Sequence, residues 1–230
     1  MISKIAESAA AAVEDIPDGA TVMIGGFGTA GQPVELIDAL LDQGARDLTV
    51  VNNNAGNGTT GLAALLNAGR VRKIICSFPR QVDSEVFDEL YRSGRLELEL
   101  VPQGTLAERI RAGGAGIAGF FTPTAFGTML AEGKETRRIK GRDYVLEDAL
   151  VADYALIKAH RGDRLGNLVY RKTARNFGPL MASAAIVVIA QVSQIVKLGQ
   201  LDPEAVVTPG IFVERLVEVG GRLPPATEGQ

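Results

Sequence analysis

Short apolar runs alternate along this chain with segments whose apolar positions recur every three or four residues. These are the two periods of buried strands and one-sided helices. Val22-Met23-Ile24 is the first such run and reads as a buried strand, and an amphipathic helix follows over 34–41. The pair then repeats: a strand over 48–51 with a helix over 60–67, and a strand over 72–77 with a helix over 84–91. Residues 96–101 alternate strictly between leucine and glutamate before a valine, which predicts a strand with one polar face. A helix over 106–111 follows and ends at Gly113-Gly114, and a short amphipathic helix over 5–13 precedes the series. Strands alternating with helices predict an α/β fold, an open and largely parallel sheet with helices on both faces.

The middle of the chain departs from this rhythm. Runs over 136–139 and 144–146 flank Lys140-Gly141-Arg142-Asp143, which reads as the turn of a hairpin and makes an antiparallel excursion. Further strands are expected over 153–159, 167–170 and 186–190, with a helix over 176–185. No internal repeat or interdomain linker interrupts residues 1–219, which are expected to form a single domain. Residues 220–230 carry two prolines and three glycines and read as a disordered tail.

The junction between the first strand and the first long helix is rich in glycine: Gly25-Gly26-Phe27-Gly28-Thr29-Ala30-Gly31-Gln32-Pro33. Proline suits the first helical position, where its missing N–H leaves no partner unmet. Glycines at such a junction let the backbone approach a ligand, and free amides with the helix dipole favour an anion. Gly26 to Gly31 also spell G-x-G-x-x-G, the dinucleotide pattern. That pattern needs an acid at the end of the second strand to hold a ribose. Here the strand runs into Asn52-Asn53-Asn54, and Asp47 stands at its start, so a nicotinamide-dependent oxidoreductase loses its best support.

Composition narrows the chemistry. The chain has 230 residues, 46% of them hydrophobic, enough for an α/β domain with a sizeable core. A formal net charge of −3 argues against a strongly basic nucleic-acid surface. One cysteine and one histidine exclude an intrachain disulfide framework and a zinc-type ligand cluster, so no metal is expected. Cys76 reads as a small buried apolar residue and His160 as structural. The N-terminus lacks a basic start followed by an apolar stretch, and the most apolar segment, 180–190, is too short to span a membrane. A cytoplasmic protein without a membrane or nucleic-acid partner is the expectation.

Ligands of open α/β sheets bind beyond the carboxyl ends of the strands. Those ends carry Gly25 to Gly31, then Asn52 to Gly58, then Ser77-Phe78-Pro79-Arg80-Gln81, then Pro102-Gln103-Gly104-Thr105. The collection is rich in amides and has no acid. Such a rim suits an anion or a developing oxyanion and offers no nucleophile. Taken alone, three consecutive asparagines fit a tight left-handed turn equally well, and Gln103 fits a loop cap.

Further residues carry a resemblance. Asp18-Gly19, Val22 to Ile24, Gly25-Gly26-Phe27, Gly31 and Pro33 resemble the signature of the A-type half, the alpha chain, of family I CoA-transferases. So do Asn53-Asn54-Ala55-Gly56, Val101 to Arg109, Phe121-Thr122-Pro123-Thr124, Ala131 to Glu135, Gly166-Asn167-Leu168, Arg171 to Phe177 and Thr208-Pro209-Gly210-Ile211. Within that family, Cys76-Ser77-Phe78-Pro79-Arg80-Gln81 points to relatives acting on 3-oxoadipate, with those using acetoacetate the close alternative. A CoA or sugar-phosphate sensor is a third reading.

The resemblance implies an enzyme that moves CoA from succinyl-CoA to a 3-oxoacid. A glutamate attacks the thioester and then carries CoA as a glutamyl thioester. It implies that this glutamate lies in a partner B subunit, in a heterodimer or an A2B2 assembly. Glu35, Glu108, Glu132 and Glu135 do not occupy the nucleophile position and are expected in surface or salt-bridge roles. The resemblance makes Gly25, Gly26, Phe27, Gly28, Thr29, Ala30 and Gly31 the CoA-binding segment. It makes Gln103 the amide donor to the thioester oxyanion and Asn53 its active-site neighbour. No permanently bound cofactor is implied, only a CoA thioester as substrate. Succinate and 3-oxoadipate carry a second carboxylate that acetoacetate lacks, and Arg80 is the only cation in the four strand-end loops, so it is the candidate to bind that group.

Overall fold

The computed structural model describes residues 2–220; of the tail expected over 220–230, all but Gly220 lies outside the described residues. The main sheet contains β1 (Thr21–Ile24), β2 (Leu48–Val51), β3 (Val71–Cys76), β4 (Glu97–Leu100), β8 (Ala152–Asp163), β9 (Leu168–Val169), β10 (Ala185–Val196) and β11 (Arg215–Glu218). Its order is β11-β10-β8-β1-β2-β3-β4, every neighbouring pair is parallel, and β9 adds to β8 antiparallel. A second, antiparallel sheet orders β5 (Gly119–Thr122), β7 (Arg142–Asp148) and β6 (Thr136–Ile139) as β5-β7-β6. The parallel sheet and the hairpin excursion are both as the pattern predicts.

Alternation along each strand decides which core a side chain joins. Val22 and Ile24 point to one face, with Leu48, Val50 and Ile74, and pack against Leu36, Ile37 and Leu40 of α2 (Val34–Gln43) and Leu62, Leu65 and Leu66 of α3 (Leu62–Asn67). Phe87 and Leu90 of α4 (Glu85–Arg92) and Val13 of α1 (Ala9–Val13) complete that face. Met23, Val51, Ile75, Ala155 and Ile157 point the other way. They meet Leu106 and Ile110 of α5 (Gln103–Gly114) and Met181 of α6 (Gly178–Ser183). No helix among the described residues is long and apolar enough to cross a membrane.

Several boundaries differ from the sequence expectation. The N-terminal helix shrinks to α1 because Ile5 leaves it to bridge Leu216 of β11. Strands β8 and β10 run to Asp163 and Val196, well past the apolar runs that flag them, because each satisfies the other's backbone over a long parallel ladder. His160 therefore lies inside a strand. The helix expected over 176–185 contracts to α6, since the chain at Asn176 (φ 11°, ψ −115°) is not helical. Strands β5 and β11 lie outside the expected pattern; both are four residues long and half polar or aromatic. The hairpin turn tightens to Lys140 and Gly141, at φ 49° and 81°, between the paired residues Ile139 and Arg142. Two positive φ values are what a two-residue turn needs to match strand twist.

Candidate functional site

Four strand ends meet at the carboxyl edge of the main sheet. After β2, Asn52, Asn53 and Asn54 are all buried, at 1–2% exposure. None of them adopts a left-handed backbone, so the tight left-handed turn is not what holds them. Their side chains brace the loop instead. Asn52 Nδ2 donates to the Ile24 carbonyl at 2.6 Å, Asn52 Oδ1 accepts from Asn54 N at 2.9 Å, and Asn54 Oδ1 accepts from Gly56 N at 3.0 Å. These are side-chain turns that replace missing ladder bonds. Gly56 sits at φ 84°, and a β-carbon there would lie 2.5 Å from Ala63 N, so only glycine closes this loop onto α3.

Asn53 is the centre of a side-chain cluster at these strand ends. Its Oδ1 accepts from Gln103 Nε2 at 2.8 Å and from Ser77 Oγ at 2.8 Å. Gln103 opens α5 and is exposed, rather than lying in a loop before a helix that starts at 106. Its place on a helix fixes its backbone, and Asn53 fixes its amide. With Asn53 Oδ1 occupied twice, the Asn53 Nδ2 donors and the second Nε2–H of Gln103 have no acceptor among the described residues. The arrangement presents amide donors held by their own partners, which is the requirement for stabilising a developing oxyanion.

The glycine loop is more internally bonded than its composition implies. Gly25 N donates to the Leu156 carbonyl, and Phe27 and Ala30 exchange backbone bonds at 3.0 and 3.1 Å. Gly26 N donates to Asn176 Oδ1 at 3.2 Å. Pro33 is the N-cap residue of α2 rather than its first helical residue, and it has no side-chain group to cap with. The fully buried Gln191 of β10 supplies the cap from across the sheet: its Oε1 accepts from Leu36 N at 3.2 Å, and its Nε2 donates to Glu35. The helix end expected to attract an outside anion is therefore already served by a glutamate of the chain and a buried amide. The loop amides without an acceptor among the described residues are those of Gly28, Thr29 and Gly31.

The remaining candidates fall at the rim. Arg80 is half exposed, and its Nε meets Asp88 Oδ1 at 2.5 Å, not the nearer-in-sequence Asp83 or Glu85. It lines a groove of about 550 Å³ with Asn57, Phe78, Gln81 and Val82. Of the four glutamates, Glu108 pairs with Arg111, Glu135 with Arg137, Glu35 with Gln191, and Glu132 is exposed. None stands beside Asn53 and Gln103. Cys76 is buried, and burial pushes its thiol up to about 12, so it is no nucleophile. Ser77, Asn176 and Gln191 are the site residues that sequence reasoning leaves without a role. Asn176 carries a signal as part of the Arg171 to Phe177 segment and Ser77 as part of Cys76 to Gln81; Gln191 carries none.

Residues 6–219 match the family described as coenzyme A transferase. The chain belongs to that family. This CoA-transferase chain is 69% identical to the A subunit of the 3-oxoadipate CoA-transferase of Pseudomonas putida, over 96% of both chains. It is 52% identical to the A subunit of the succinyl-CoA:3-ketoacid coenzyme A transferase of Xanthomonas campestris pv. campestris (strain B100), over 93% of this chain and 88% of that one. Its fold superposes on the crystal structure of glutaconate coenzyme A-transferase from Acidaminococcus fermentans with a TM-score of 0.84. That match covers 94% of this chain and 76% of the other, at 20% identity, and bears on the fold alone.

Proposed function

We propose that this CoA-transferase chain is the A subunit of an enzyme that moves CoA from succinyl-CoA to 3-oxoadipate. The observation that carries the chemistry is the Gln103–Asn53 amide pair, 2.8 Å apart at the strand ends with no carboxylate beside it. The substrate reading rests on the higher identity to the 3-oxoadipate relative, 69% against 52% for the succinyl-CoA:3-ketoacid relative.

In the first half-reaction a glutamate carboxylate of the B subunit makes the attack on the succinyl thioester carbonyl. Negative charge develops on that oxygen, and the Gln103 and Asn53 amides donate to it. CoA thiolate leaves, and a mixed anhydride remains. The thiolate then attacks the glutamyl carbonyl and releases succinate, which leaves CoA as a thioester on the glutamate. A carboxylate of 3-oxoadipate repeats the steps in reverse order. One thioester replaces another, so the exchange needs no other source of energy. Exposed apolar side chains support a partner as well: Phe27, Phe78 and Val82 stand exposed after β1 and β3, and Phe78 bonds through its backbone to Asn53, a surface of the kind that a second subunit covers.

The test is reconstitution. The purified chain alone should show almost no succinyl-CoA:3-oxoadipate transfer, and mixing it with its B subunit should restore turnover. Substantial turnover by the single chain would overturn the reading, and so would a mixed complex that binds CoA without transferring it.

A further inference from the structure

Beside the glycine loop, on the side away from the amide pair, runs the segment Arg171 to Phe177. It includes a 3-10 turn, Lys172–Arg175, which packs against β8. Asn176 pins it to the loop: its Oδ1 accepts from Gly26 N at 3.2 Å, and its Nδ2 donates to the Ala30 carbonyl at 2.9 Å. The same side chain closes its own turn through the Thr173 carbonyl at 2.8 Å and Phe177 N at 2.7 Å. Gly31, at φ 76°, makes the fit possible, because a β-carbon there would lie 2.5 Å from the Ala174 carbonyl oxygen. The two segments are thus one surface, fixed by contacts between residues far apart in the sequence.

We propose that Arg171, Lys172 and Arg175 form, with the tip of the glycine loop, the seat for the phosphate groups of the CoA nucleotide. The inference rests on the CoA-transfer reading above and names where that substrate's far end lies. All three side chains are exposed, and none has a carboxylate within 4.0 Å among the described residues. Several exposed arginines elsewhere are paired, Arg72 with Glu97, Arg95 with Glu89, Arg111 with Glu108 and Arg137 with Glu135; Arg46 and Arg142 are exposed without such a partner, but neither lies beside the glycine loop. The positive field reaches the strand beneath. Burial first, and then Arg161 and Arg171, hold the His160 imidazole below its ordinary value. Gly28 and Thr29 add two amides with no acceptor among the described residues. Guanidinium forks match phosphate oxygens two at a time.

Topology sets the distance. The amide pair lies at the end of β2, and β1 and β8 follow it in the sheet, so about 10 Å, two strand spacings, separates it from the strand against which the cationic segment packs. An extended pantetheine arm crosses that gap over the glycine loop and carries its phosphates at the far end. The distal carboxylate of a succinyl or 3-oxoadipyl group is too close to the thioester to be the better occupant, and Arg80 lies on the opposite side of the amide pair, after β3.

The experiment compares two donors, succinyl-CoA and succinyl-pantetheine, in the complex with the B subunit; the second donor has no phosphate. Arg171→Gln and Arg175→Gln should each lower kcat/KM for succinyl-CoA by about three- to tenfold, and the double variant by more. Values for succinyl-pantetheine and the KM for 3-oxoadipate should stay at the wild-type level, and the losses should shrink as salt is raised. Arg→Lys at either position should recover part of the loss. Equal losses for both donors would overturn the proposal in favour of a structural role. A raised KM for 3-oxoadipate with succinyl-CoA unaffected would overturn it in favour of a carboxylate site, and wild-type values throughout would also overturn it. A wild-type complex that transfers no CoA would instead defeat the functional reading itself.

Discussion

Asn53 and Gln103 are worth little apart. The Gln103 amide is aimed by Asn53, and Asn53 is held by Gln103 and Ser77 together. A donor that acts on charge developing in the transition state lowers kcat when removed and barely moves KM. Gln103→Ala should therefore reduce kcat about 10²–10³-fold in the complex with the B subunit. Asn53→Ala should cost less, and the double variant should lose less than the product of the two singles, since each removal already loosens the other. Steady-state rates against succinyl-CoA check this; unchanged kcat with raised KM would make Gln103 a simple binding residue. Arg80 poses a different question, because its guanidinium already has a partner in Asp88. We propose that it also serves the distal carboxylate of the acid through the groove it lines. Arg80→Ala should then lower kcat/KM about tenfold for 3-oxoadipate and leave acetoacetate untouched. Equal effects on the two acids would reduce Arg80 to a surface ion pair.

At the scale of elements, charge ties the far edge of the sheet to the helix that carries Gln103. Glu99 of β4 accepts from Arg109 of α5 at 2.8 Å and meets Lys73 of β3 at 2.8 Å. Arg109 Nε also donates to the Asp148 carbonyl at 2.8 Å, which joins α5 to the small sheet. Beside it, the buried Glu147 takes Lys134 at 2.7 Å. Burial alone raises the Glu99 carboxyl, but the hydrogen bonds from Lys73 and Arg109 outweigh it and hold the group below its ordinary value. A carboxyl depressed in the folded state contributes stability that is present above the ordinary glutamate range. That stability is lost as the pH falls through the lower, folded value. Glu99→Gln should lower the thermal midpoint near neutral pH and flatten its fall on acidification below about pH 4.5. A variant whose midpoint tracks the wild type at every pH would show that the ion pair adds nothing. The glutamates of this strand are legible in the sequence as a polar face, but their partners are not, since Lys73 and Arg109 reach them from different elements.

For the molecule as a whole, period and composition were enough to determine most of the fold. Strand and helix periods are local, and each is enforced by one buried face, so β2 is found at Leu48–Val51 as the pattern predicts and the parallel sheet follows from the alternation. The glycine loop, the asparagines and Gln103 were likewise marked by their places at strand ends. What the sequence by itself did not determine was how those places bond. Gln191 lies just past the strand expected over 186–190 and carries no signal there, yet it caps a helix 155 residues away. Asn176 reads as the start of a helix, yet it clamps the glycine loop. Glycine content suggested open amides at the head of α2, and tertiary contacts had already filled those of Gly25, Gly26 and Leu36 while leaving Gly28, Thr29 and Gly31 open. Burial follows from local pattern, because the hydrophobic effect depends on area and not direction. A hydrogen bond depends on which two groups the finished chain brings within about 3 Å, and that only the tertiary structure decides.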